Sequence, residues 1–142
     1  MGAATILLEQ ELDDRVKFCI SDCGYNDFKK FLLERLSRSH FPKFSFYFIN
    51  FFVKIITGFS LDQVSPIKAI NESKIPIMFI HGKQDKLIGY HHSVEMYETY
   101  GNSKKLFLAD NNATHAYSYF SDKDKYIENV KGFLKEYVYD KI

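Results

Sequence analysis

Tryptophan is absent from this 142-residue chain, proline occurs three times, arginine three times (Arg15, Arg35, Arg38) and cysteine twice. Two thiols, Cys19 and Cys23, cannot build a disulfide framework, and no further cysteine completes a thiolate zinc set. A reducing, cytoplasmic setting is the expectation. A charge excess is missing as well: 19 Lys+Arg against 18 Asp+Glu leave a formal net charge of +1. Binding through phosphate neutralisation needs a basic stripe, so no nucleic-acid partner is expected. The preference for lysine over arginine, beside abundant Ile, Asn, Phe and Tyr, fits an AT-rich coding sequence and carries little chemistry.

Long apolar runs are also lacking. The richest stretch, Phe44–Phe59 (FSFYFINFFVKIITGF), has 16 residues and is interrupted by Lys54. A spanning helix needs ~20, so a buried or lid helix is expected there and a membrane role is not. Met1–Leu8 is apolar, but Glu9, Glu11, Asp13 and Asp14 follow at once, which is not the pattern of a secretory signal. No repeat, low-complexity tract or linker divides the chain. Its 46% hydrophobic content excludes a disordered polar tail and suits a single domain.

The pattern that is present alternates helices and strands. Ala3–Leu12 reads as a helix with acids near its end, opposed to the helix dipole, so something other than electrostatics must hold it. Val16–Ile20 reads as a buried strand. Asp27–Ser37 and Phe44–Thr57 read as helices, separated by the breaker around Pro42, and Ser65-Pro66 as a turn. Ile75–Ile80 is a continuous apolar run ended by His81-Gly82, as in a strand covered on both faces. Ser93–Tyr100 predicts a helix stopped by Gly101, and Lys105–Ala109 a third strand. From Tyr126 to Val138 apolar residues recur at helical spacing, with Ser121 and Asp124 as the start signal. The order predicts an α/β fold with a parallel sheet and right-handed crossovers.

Ligands of open parallel sheets bind beyond the carboxyl ends of the strands. Three loops lie there: Ser21–Asp27, His81–Gly89 and Asp110–Tyr119. The second carries Asp85 (HGKQD) and the third His115 (NNATHAYS), with room for a helix and a strand between them. A carboxylate after one strand and an imidazole after the next can form the orienting acid and general base of a nucleophilic triad. Asp22 is a second acid candidate, against a turn or capping role. Cys19 and Cys23 are remote alternatives as nucleophile, and Ser118 stands close enough in sequence to bond His115 without oxyanion donors of its own. Tyr25 reads as a packing residue or as the lining of a pocket, and His81, before a tight glycine turn, as structural. His91 and His92, being adjacent, are expected to point in different directions and not to ligate a metal.

HGKQDKLIGYHHS resembles the alpha/beta-hydrolase pattern in which His-Gly-x-x-Asp follows the seventh strand and supplies the triad acid. ATHAYSY is similar to the histidine loop after the eighth strand. Met1-Gly2-Ala3-Ala4-Thr5 resembles the residues just after the nucleophile in the elbow Gly-x-Ser-Met-Gly. SPIKAINESKIPIMFIHG resembles a bacterial branch of serine hydrolases related to acylaminoacyl peptidases and esterases.

The resemblance covers essentially the whole chain but only the carboxyl-terminal half of the family's domain. It implies a partial, three-layer parallel-sheet fold over residues 1–142, with residues 27–65 as a helical lid or cap. It implies Asp85 and His115 as triad acid and base, acyl-enzyme chemistry on esters, amides or thioesters, a small acyl substrate and no cofactor. The family's serine would immediately precede Met1, and the first oxyanion amide would be that of Met1. The chain alone is therefore expected to be nearly inactive. The alternative is a non-catalytic remnant or interaction module. An open sheet edge and Phe-rich helices lead us to expect a homo-oligomer.

Overall fold

The computed structural model of the chain describes residues 1–10, 12–13, 15–110 and 112–139. Its centre is strand β2 (Ile77–Gly82), every residue of which is buried. Parallel strands β1 (Cys19–Asp22) and β3 (Lys104–Ala109) flank it in the order β1-β2-β3, with Cys19 opposite Ile77 and Ile77 opposite Lys104. A strand with a neighbour on each side and helices above and below has no solvent face, which is why this segment reads as an unbroken apolar run.

Alternation along the strands assigns the layers. Cys19, Ile77 and Phe79 point to one face and pack with Leu7 of α1 (Gly2–Glu9), Ile70 next to α4 (Pro66–Ala69) and Met96 of α5 (His91–Thr99). Ile20, Met78 and Ile80 point to the other face, against Phe133, Val130 and Leu134 of a long C-terminal helix, Lys123–Tyr137. The result is the expected three-layer α/β arrangement. Above the carboxyl end of β1, Ala4, Tyr25 and Ile88 form a smaller cluster with Phe28 and Phe31 of α2 (Phe28–Arg38). Tyr25 stacks on Phe31 at 5.4 Å between ring centres, the packing role expected of it.

Several boundaries differ from the sequence expectation, each for a tertiary reason. The first strand begins at Cys19 instead of Val16, because its ladder starts where the Cys19 N–H reaches the Pro76 carbonyl, 3.0 Å away. It runs on through Ser21 and Asp22, so the loop above it starts at Cys23. Helix α5 starts two residues earlier than expected and ends before Tyr100, whose backbone is extended (φ −68°, ψ 122°). There the buried Tyr100 hydroxyl donates to the Ile75 carbonyl at 2.5 Å. Gly101 accordingly has no left-handed capping role, and that geometry belongs to Gly58 (φ 71°) at the end of α3 (Ser45–Thr57). Helix α1 ends at Glu9, and Glu11, part of the expected helix, lies outside the described residues. Its acidic end is held by burial of Leu7 and by Gln10, whose Oε1 accepts from Ser73 Oγ at 2.5 Å. A short α6 (Ser118–Ser121) precedes the final helix, α7, which is capped by Asp122 and not by Ser121.

The aromatic segment forms α3, which leans on α2 by burying Phe46. The rest of its apolar side is open: Phe48, Phe51, Phe52 and Ile56 are 62, 59, 58 and 79% exposed. A buried helix is therefore not what this segment makes. Among the described residues no helix is long and apolar enough to cross a membrane.

The two aromatic environments predict opposite responses. Phe133→Ala opens a cavity between α7 and the sheet and should cost about 3–5 kcal/mol in urea denaturation. Phe48→Ser on α3 should change stability by no more than about 0.5 kcal/mol.

Candidate active site

Asp85 sits in the tight turn after β2, its N–H donating to the Gly82 carbonyl at 3.1 Å. Its side chain is fully buried, and four donors converge on it. Oδ1 accepts the backbone N–H groups of Leu87 (2.8 Å) and Ile88 (3.0 Å). Oδ2 accepts His115 Nδ1 at 2.7 Å and lies 3.3 Å from His81 Nε2. An ionised carboxylate offers about four acceptor positions, and all are used. Burial alone would raise the Asp85 pKa. Hydrogen bonds from His81, the Ile88 N–H and His115 outweigh it and hold the carboxyl well below its ordinary value.

The tautomers follow from these partners. Ionised Asp85 can only accept, so His115 Nδ1 carries a proton, and in the neutral imidazole Nε2 is the nitrogen that holds the lone pair. The His115 side chain is 34% exposed, and Nε2 has no hydrogen-bond partner among the described residues. His81 is enclosed completely: Nε2 faces the Ile88 carbonyl at 2.9 Å as well as Asp85, while Nδ1 lies 2.7 Å from Ser93 Oγ. Two acceptors at Nε2 require that nitrogen to donate, so Nδ1 accepts the Ser93 hydroxyl.

Gly82 brings the two loops together. A Cβ there would lie 2.3 Å from the Ala113 carbonyl oxygen and 2.8 Å from its carbon. That is backbone, which cannot swing aside. The close approach is locked by the Gln84 N–H donating to the Ala113 carbonyl at 3.0 Å. Beyond it, Ala116 has a left-handed backbone (φ 57°), unusual for a residue with a Cβ, which turns the chain immediately after His115. The Ala116 N–H points at Cys23 Sγ, 3.4 Å away.

Asp85 and His115, expected to meet from the sequence, are therefore in direct contact. Asp22 goes elsewhere: its Oδ1 accepts Ser118 Oγ at 3.0 Å and Cys23 Sγ at 3.2 Å. Ser118 thus bonds Asp22, not His115. Both thiols are buried, and burial pushes Cys19 up to about 11 and Cys23 up to about 12, so neither supplies a thiolate at neutral pH. Sequence reasoning missed the contact of His81 with the carboxylate and the way Cys23 and Ser118 fasten the histidine loop to β1. The i,i+4 spacing of His81 and Asp85 was the available signal for the first. Only the fold could reveal the second. His91 and His92, expected to diverge, instead stack with ring centres 4.4 Å apart. Burial, then the neighbouring His91, pushes His92 down to about 4.

No family model matches the chain. It is similar to the uncharacterized protein YqkD of Bacillus subtilis, 33% identical over 138 residues, which are 94% of this chain and 45% of that protein. Among solved structures it resembles the acylaminoacyl peptidase of Pyrococcus horikoshii, with a TM-score of 0.68 at 15% identity over 96% of this chain and 23% of that one. An esterase of Pyrococcus furiosus gives 0.67 at 18% identity over 95% of this chain and 50% of its own length. The fold is alpha/beta-hydrolase-like. The chain spans about half, or less, of the length of each of these proteins.

Two predictions follow from the carboxylate and the glycine. The folded pKa of Asp85 lies below its ordinary value of 3.8, so its contribution to stability is complete above that value and is lost as pH falls from there through the lower folded-state value. Asp85→Asn should cost about 3–5 kcal/mol at pH 7 and flatten this part of the acid-unfolding profile followed by circular dichroism. Gly82→Ala should cost about 1–3 kcal/mol and broaden the His115 ring resonances, the histidine loop being pushed off its position.

Proposed function

We propose that the chain is the carboxyl-terminal part of a serine-type hydrolase acting on ester, amide or thioester bonds through an acyl-enzyme. The observation that carries this reading is the 2.7 Å contact of His115 Nδ1 with a fully buried Asp85, which leaves Nε2 facing outward as a free base. Among the described residues no hydroxyl or thiol bonds that nitrogen. The nucleophile, with its oxyanion amides, is then contributed by residues outside this chain, as the partial coverage of peptidase and esterase structures supports.

In this reading Nε2 removes the nucleophile's proton as its oxygen attacks the acyl carbon. The imidazolium that forms is stabilised by Asp85, and its proton passes to the leaving group. Water repeats the sequence to release the acid. His81 holds Asp85 in place without touching substrate. Residues 27–65, which include α2 and α3, act as a lid whose apolar side favours a hydrophobic acyl group on a small substrate, and no cofactor takes part. Both cysteines are free, in keeping with a cytoplasmic setting.

A second reading, a self-associating module without catalysis, is favoured by the exposed apolar side of α3 and by β1 at the edge of the sheet. The two are separated by p-nitrophenyl acetate hydrolysis and fluorophosphonate labelling. The chain alone should hydrolyse no faster than buffer, since loss of the nucleophile costs about 10⁶-fold in subtilisin, the worked case for triads. A longer polypeptide translated in frame with upstream coding sequence should be labelled and active. His115→Ala in that polypeptide should lower kcat by about 10⁴–10⁶-fold with little change in KM. Activity of the isolated chain that His115→Ala abolishes, or activity of the longer polypeptide that survives it, would overturn the proposal.

A further inference from the structure

Away from Asp85, a second group of titratable side chains meets where α2 crosses the start of α5. Glu34 on α2 places Oε1 at 3.1 Å from His91 Nε2 and Oε2 at 3.3 Å from His92 Nε2. The three ligand atoms all lie within 4.8 Å of one another. The stacked rings thus present two nitrogens and a carboxylate to one point, not the divergence expected of adjacent histidines.

The proton on His92 is located by its neighbours. Asn26 Nδ2 donates to Glu95 Oε2 at 2.6 Å, and a carboxylate only accepts, so the amide orientation of Asn26 is fixed. Its Oδ1 therefore faces His92 Nδ1, 2.5 Å away, and that nitrogen must donate. The Asn26 N–H also lies 3.5 Å from Nδ1, a contact too long to compete. His92 Nε2 is left with a lone pair aimed at the Glu34 carboxylate. The His92 side chain is fully buried, and Nε2 has no hydrogen-bond partner despite its 3.3 Å approach to Oε2. Two acceptors facing each other repel, and a buried polar atom without a partner is costly. A cation between them removes both penalties.

We propose that Glu34, His91 and His92 bind a single divalent cation of the zinc class and thereby clamp α2 to α5. The donor set of two imidazoles and a carboxylate suits zinc, whose bonds of about 2.0–2.2 Å put tetrahedral ligands about 3.3 Å apart. The separations of 3.1 and 3.3 Å match that edge. Asn26 supplies the outer-shell hydrogen bond that fixes the tautomer of a ligating histidine. Gly89 makes room for the His91 ring: a Cβ there would stand 2.5 Å from Nδ1. A cavity of about 540 Å³, with Glu34 and His91 on its wall, gives the ion access and leaves a fourth position for water.

Three nearby cations make their short contacts with other groups, while Lys43 lies on the wall of the same cavity. Lys30 Nζ sits on Glu95 at 2.6 Å, Lys29 on Asp62 at 3.1 Å, and Arg38 Nη1 donates to the Lys86 carbonyl at 2.6 Å. Arg38 Nη2 remains 3.9 Å from Glu34 Oε2, beyond hydrogen-bond range.

The test is calorimetric titration of the metal-free 142-residue chain with zinc chloride, with Co²⁺ absorption as a second readout. Wild type should take up one equivalent, raise its Tm and give the visible bands of tetrahedral Co²⁺. His91→Ala and Glu34→Gln, at partly exposed positions, should keep wild-type circular dichroism. Each should weaken binding by more than about 100-fold, beyond the 10–100-fold typical of losing an outer-shell partner. No zinc-dependent heat or Tm shift in wild type would overturn the proposal. So would binding that both variants leave intact, as expected of an ion held by Cys23, His81 and Asp85 instead.

Discussion

The buried carboxylate of Asp85 is the constraint on which the carboxyl end of the sheet depends. A charge in that position is tolerated only because every acceptor position has a donor, and the donors come from three separate places: the turn that follows it, the end of strand β2 and the loop after β3. Removing any donor strands charge in a dry environment. The same requirement that keeps the fold intact therefore holds His115 at a fixed distance and in a fixed tautomer. Stability and chemistry share one interaction.

That arrangement is built outward from β2. Alternation along the strand sends His81 to the α5 side, where Ser93 fixes its ring, and the turn then returns Asp85 beneath it. Gly82 allows the histidine loop to come within backbone contact distance. On the β1 side, Asp22, Cys23 and Ser118 tie the same loop down from below. The loop is thus held at both ends, while the left-handed backbone of Ala116 turns the chain away after the imidazole. In the proposed hydrolase, an imidazole held this way would need little reorganisation before accepting a proton, the property that positioned catalysis requires. By contrast, α3 has almost no such restraint, and its aromatic side is left open.

Much of this was legible in the residues. The unbroken run of β2, the heptad-like face of α7 and the order of elements all reported burial on a regular period, and periodicity survives tertiary context. The pairing of Asp85 with His115 was legible because both follow strands of a parallel sheet, where loops converge. What the sequence could not report were consequences of partners distant along the chain. β1 starts where Pro76 offers an acceptor, and α5 ends where the Tyr100 hydroxyl finds Ile75. Asp22 and Ser118 meet across the sheet, and His91 and His92 stack because Gly89 leaves one ring space beside the other. For Phe44–Phe59 the apolar content left burial and a lid both open, and the exposure of Phe48, Phe51, Phe52 and Ile56 goes against burial within this chain alone.

The most direct test of the central claim is the nitrogen chemical shifts of the His115 imidazole in the selectively ¹⁵N-labelled chain, since they report which ring nitrogen carries the proton. The account predicts a neutral imidazole protonated at Nδ1 and bare at Nε2, with that preference lost in Asp85→Asn. An imidazole protonated at Nε2 in the wild-type chain, or shifts indifferent to Asp85→Asn, would contradict it.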